Sequence, residues 1–143
     1  MRGSARVLAI LLLVLPFAAH AAAKKTREAV PTFARAEAVL KWINGYRSEP
    51  EPEKLPVAVK AMGEFGLLRE LDQAGLQVGF IAGVLGTNPD KAPRLVAQMF
   101  PMPPEDQVIL IKAIAFSGLP NWKQLLSAFS ERMPARQVLI DKY

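Results

Sequence analysis

The sequence predicts an all-α fold: six to eight short helices, set as stacked antiparallel hairpins or as an irregular bundle, after an N-terminal signal peptide. Two observations carry this expectation. Apolar residues recur at helical spacing along most of the chain, with almost no alternating strand pattern. Pro and Gly punctuate it at intervals that suit helices of roughly 8 to 14 residues. The expected organisation is a signal peptide over 1–21, a flexible basic tail over 22–31 and a single all-helical domain over 32–143.

The first 21 residues carry the three zones of an export signal. Arg2 and Arg6 give a positive start, and Val7 to Ala18 is an uncharged apolar run of 12 residues. Ala19-His20-Ala21 then offers small residues at both positions of an A-x-A cleavage site, with a second choice after Ala23. Pro16 breaks the apolar helix. A spanning helix needs roughly 20 apolar residues, so the run reads as a cleavable signal rather than an anchor. The expected destination is the periplasm or the medium. An alanine-rich, cysteine-free chain without an Asn-x-Ser/Thr site fits a bacterial source.

Processing changes the chemistry of what remains. Cleavage after Ala21 leaves 122 residues with 16 Lys and Arg against 13 Asp and Glu, a net charge of +3 instead of +5. Lys24, Lys25 and Arg27 hold that excess, so the folded part is neutral. It has no basic stripe of the kind a nucleic-acid reader shows. His20 is the sole histidine and leaves with the signal, and there is no cysteine. The mature chain therefore lacks Ser-His-Asp and Cys-His nucleophile systems, His/Cys zinc sites and His- or Cys-ligated haem. No catalytic, cofactor-binding or metal-binding residue is assigned, and no cofactor is expected.

Along the mature chain, Thr32 precedes a first helical segment carrying Phe33, Ala36, Leu40 and Ile43, which ends near Asn44-Gly45. Ser48 to Glu53 alternates Glu and Pro and reads as a solvated loop. Pro56 suits the first turn of a second helix with Leu55, Val59 and Met62, ending near Gly63 and Gly66. A short helix over Leu67 to Ala74 is expected to stop at Gly75, and another to run from Leu76 to Leu85. Gly86 to Asp90 is a break in which Asn88 or Asp90 caps the next helix, with Ala92, Leu95, Val96, Met99 and Phe100. Pro101-Met102-Pro103-Pro104 ends it. Glu105 and Asp106 complement the positive end of the following helix dipole. Val108 to Phe116, apolar on nearly all sides, reads as a buried central helix, with a buried strand as the alternative. Pro120 starts a helix with Trp122, Leu125, Leu126 and Phe129, and Pro134 opens the last, through Val138 and Leu139 to Tyr143.

A weak internal echo links residues 80–103 to 110–134, with Leu95 to Leu126 and Pro103 to Pro134 both spaced by 31. The period is near that of tetratricopeptide hairpins, whose Trp, Gly, Tyr and Pro signature is missing. Gly79 and Gly83 share one helix face, where close packing within the domain is expected. Lys112 is either a buried base or, more simply, a stem whose ammonium reaches water. Trp42, Tyr46 and Trp122 are the candidate partner-binding residues, since each combines apolar area with a polar handle.

The function expected from these readings is an exported, non-enzymatic helical interaction or scaffold module for an envelope or secreted protein or peptide. The alternative is a small carboxylate-dependent hydrolase of envelope polysaccharide, which needs two facing acids about 5 to 9.5 Å apart. Membrane contact through the Lys24 to Arg27 tail is weak, about 1 kcal/mol per basic residue. N-terminal sequencing of the exported chain should read Ala22-Ala23-Lys24. A form retaining His20 would reverse the expectation and return a histidine to the mature protein.

Overall fold

A computed structural model describes residues 33–69 and 74–143; the signal peptide, the basic tail and Thr32 lie outside the described residues. Within them the chain is all-helical, with seven α-helices and no strand. These are α1 (Ala36–Gly45), α2 (Leu55–Glu64), α3 (Ala74–Gly86), α4 (Ala92–Gln98), α5 (Pro104–Ala115), α6 (Trp122–Phe129) and α7 (Gln137–Ile140). Single 3-10 turns cover Pro52–Lys54, Ser130–Arg132 and Pro134–Arg136.

Proline, not a side-chain cap, opens three of these seven helices. It stands in the first turn of α2, α4 and α5, where its missing N–H is no loss and its φ is already helical. Neither Asn88 nor Asp90 caps α4, which starts after Lys91 with no side-chain cap bond. The Asn88 side chain turns the other way and donates from Nδ2 to the Val84 carbonyl at 2.8 Å, closing the C-terminus of α3. Gly75, expected to stop a helix, lies inside α3, and Leu67 to Arg69 form a turn. Four residues of the expected helix, 70–73, lie outside the described residues. Glycine costs a helix only about 1 kcal/mol. The burial of Gln77, Ile81, Ala82, Val84 and Leu85 in the same helix outweighs that.

The Val108 to Phe116 segment is helix, not strand. It forms most of α5, which packs chiefly against α3 and α6, while α2 packs against α1 and α4. One apolar cluster runs from Val39 to Ile140, with Leu110, Ile111 and Ile114 of α5 buried in it. A second set of contacts joins α1 to α3 through rings. Trp42, Tyr46 and Phe80 meet pairwise edge-to-face with centroids 5.2–5.4 Å apart, and Phe33 adds to Trp42 at 5.7 Å. Among the described residues no helix is long and apolar enough to cross a membrane.

Two kinds of glycine occur in α3. Gly86 ends the helix against the backbone of Ser117, so that a Cβ there would collide with the Ser117 carbonyl oxygen. This contact lets the C-terminus of α3 meet the corner after α5. Gly79 and Gly83 behave oppositely to expectation: nothing lies within 4 Å of a Cβ added at either, and both face outward. Gly86→Ala should therefore destabilise the chain by about 3 kcal/mol through backbone displacement. Gly79→Ala should stabilise it by about 0.5–1 kcal/mol. Urea denaturation of both variants checks the opposite signs.

Candidate functional site

Two adjoining clefts share Leu68 and Arg69 as their common wall. The first, of about 280 Å³, lies between α2 and the turn joining α4 to α5, and Val59, Met99 and Met102 form its apolar side. The second, of about 610 Å³, lies between α3 and α5, where Val78, Val108, Ile109 and Phe116 line it. Phe116 stands at the end of α5 with 66% of its surface exposed. Lys112 flanks the second cleft with its side chain on the exposed side of α5, as the water-reaching stem reading expects.

The wall is held by charge. Arg69 meets Glu105 through Nη2 at 3.3 Å and Asp106 through Nε at 3.4 Å. Asp106 sits in the first turn of α5 with its side chain 3% exposed, whereas Arg69 is 53% exposed. Burying a carboxylate costs several kcal/mol unless it is paired, and this one faces a single half-solvated guanidinium at long range. Its other oxygen, Oδ2, lies over Gly63, where an added Cβ would come within 2.6 Å of it. Glycine at this point of α2 is what lets the carboxylate tuck in beside Leu68. One residue on, Gln107 donates from Nε2 to the Met102 carbonyl at 2.9 Å and so fixes the apolar lip of the first cleft. The Phe100–Pro101 peptide in this lip is cis.

No protein-family model, curated protein or solved structure matches the chain. The site is therefore read from its own residues.

Of the three aromatics singled out from the sequence, Trp42 and Tyr46 fall together in the α1–α3 ring cluster. Both are half-buried, and the Trp42 Nε1 and Tyr46 hydroxyl make no hydrogen bond among the described residues. Burial raises the Tyr46 phenol above its ordinary pKa. Trp122 belongs to a different surface, edge-on to Tyr143 at 6.4 Å and under the Lys123 ammonium at 5.2 Å. None of the three lines either cleft. The residues that do were not singled out as a site, although the helical spacing of Asp106, Ile109, Leu110 and Ala113 places the acid on the buried stripe of α5. Nothing in the sequence links Gly63 or Arg69 to it.

Several acids are engaged with cations. Glu105 and Asp106 converge on Arg69, and Glu51 pairs with Lys54 at 2.6 Å. Among the described residues no group of three or more Asp, Glu, His or Cys is placed to hold a metal.

Glu53, read from sequence as part of a solvated loop, ties the 48–53 connector to α4. Both its oxygens accept from Arg94 Nη2 at 2.7 Å, and Lys91 Nζ stands 3.3 Å away. The Arg94 guanidinium holds this carboxyl below its ordinary pKa against desolvation by burial, with Lys91 adding to the lowering. A depressed folded pKa adds stability above the unfolded value of about 4.3, and that stability is lost as pH falls through the folded value. Glu53→Gln should thus cost about 0.5–1 kcal/mol at pH 7, the range of an exposed pair. Denaturation curves taken down to acid pH should show the gap between variant and parent closing.

Proposed function

We propose that this chain is an exported, non-enzymatic interaction module that seats an apolar segment of an envelope or secreted polypeptide in the paired clefts beside Arg69. The observation that carries the reading is the adjacency of the two clefts, which share Leu68 and Arg69, with Phe116 standing largely exposed at one end. A folded domain gains by covering such a side chain, and a partner's apolar segment would cover it together with Val78 and Val108.

The helix arrangement agrees with a scaffold built of hairpins. The two echoing stretches of sequence correspond to α3–α4 and α5–α6, and α3 of the first lies against α5 of the second. Stacking of this kind leaves grooves between successive helix pairs, which is how α-solenoids present binding surfaces. The export signal gives the compartment: the partner is a protein or peptide met after secretion, in the periplasm or beyond it.

Photo-crosslinking in the producing cell tests this. A photoreactive residue at position 116 should yield a discrete adduct with an envelope or secreted protein, and Val108→Asp should abolish it. The same residue at position 138, where Val138 is 75% exposed but lines neither cleft, should yield none. Equal adducts at both positions, or adducts indifferent to Val108→Asp, would overturn the proposal.

A further inference from the structure

The first helix is held differently from the helices it packs on. α1 and α2 are both ten residues long, but α2 buries seven of its residues and α1 buries Val39 alone. No side-chain hydrogen bond or ion pair among the described residues joins residues 33–46 to another element. Nor does α1 have a side-chain cap or a proline in its first turn. Besides Val39, its attachment is the seam of Trp42 and Tyr46 against Phe80. That seam seals the Trp42 Nε1 and the Tyr46 hydroxyl, and neither has a hydrogen-bond partner.

A buried polar group without a partner forfeits the hydrogen bond that water gives it once it is uncovered. The ring seam therefore both attaches α1 and penalises the attachment. An edge-to-face ring pair adds an attraction of the same order as one such loss, so the two effects largely offset each other. The chain just beyond α1 is built to bend. Residues 47–50 are all exposed, and the Ser48 and Glu49 N–H groups bond back only to the Gly45 carbonyl, at 3.0 and 3.1 Å. Glu53 follows, clamped by Arg94 at 2.7 Å and Lys91 at 3.3 Å. A displacement of α1 thus stops at that clamp and leaves α2 and α4 docked.

We infer that α1 is a strap hinged at residues 47–50, which comes away from α2 and α3 as a unit while the other helices stay packed. Closed, it hides the ring seam; open, it bares Trp42, Tyr46 and Phe80 and returns two polar groups to water. Sub-global opening of this kind belongs to the elements with the fewest buried contacts. The inference is independent of the cleft reading, because no residue of α1 lines either cleft.

Native-state hydrogen exchange of the purified chain, followed amide by amide in sub-denaturing urea, tests it. The amides of Leu40 to Ile43 should exchange about a hundredfold or more faster than those of Ile111 to Ile114, and with a weaker dependence on urea. Tyr46→Phe keeps the ring and removes the unpaired hydroxyl, so it should slow exchange in α1 about fivefold or more and leave α5 unchanged. Trp42→Ala removes the ring contact and should speed exchange in α1 alone. Exchange of α1 and α5 at one rate with one urea dependence would overturn the strap. So would a Tyr46→Phe variant in which α1 exchange fails to slow, since the hydroxyl would then cost the closed form nothing.

Discussion

The structure depends on the need to keep α5 out of water. From Val108 to Ile114 only Lys112 is polar, so no orientation of this helix gives it the half-and-half surface of an ordinary amphipathic helix. It must be surrounded. Leu110, Ile111 and Ile114 are almost completely buried, each contributing about 1.5–3 kcal/mol relative to exposure. Helices as short as the seven-residue α4 and four-residue α7 have no stability of their own. They persist through packing, α4 on α2 and α3, and α7 on the Pro134–Arg136 turn that lies against α5. The chain's last segment is tied to the same helix, with Arg136 donating to the Pro104 carbonyl at 2.9 Å.

That constraint reaches the clefts through the pitch of α5. The periodicity that turns Ile109, Leu110 and Ala113 inward also turns Asp106 inward, one turn earlier. The helix's positive end favours an acid in its first turn, but that alone would leave the carboxylate in solvent. Gly63 on α2 provides the space that accepts it, and Arg69 supplies a partial counter-charge from the outside. An apolar wall and a buried charge thus stand side by side as a consequence of how α5 must pack. Gln107 completes the arrangement by holding the Met102 carbonyl, so the lip of the cleft is set by the same turn of helix that sets its charge.

Much of this fold was legible in the sequence. The apolar spacing gives the positions of α2, α4 and α6 closely, and the Pro-rich run 101–104 marks the start of α5. The errors have physical causes. Gly75 has a low intrinsic helix propensity, which the packing of α3 overrides. Asn88 was weighed as an N-cap, whereas its amide serves the preceding helix. Gly79 and Gly83 share a face as their spacing requires, but spacing fixes only that they lie together, not which way the face points. The clefts were least legible, because Gly63, Arg69 and Asp106 are separated along the chain and meet only after α2 and α5 have docked. Half of that constellation, the inward register of Asp106, could have been read from periodicity. The complementary glycine could not.

Exposure of apolar side chains does not by itself distinguish a binding surface from an ordinary one, since folded proteins leave much apolar surface in water. Val138, Leu76 and Phe116 are all more than half exposed. Val138 and Leu76 line neither cleft, whereas Phe116 continues into Val108 and Val78 and, across Leu68, into the apolar wall of the first cleft. Its place in the second cleft, beside the first, is what gives the Phe116 surface its weight. On the proposed reading, an occupant would pass Arg69 and touch both clefts. A small molecule confined to either side would leave half of the surface uncovered. The adjacency of two apolar-lined clefts, rather than the exposure of any single residue, is the ground of the proposed reading.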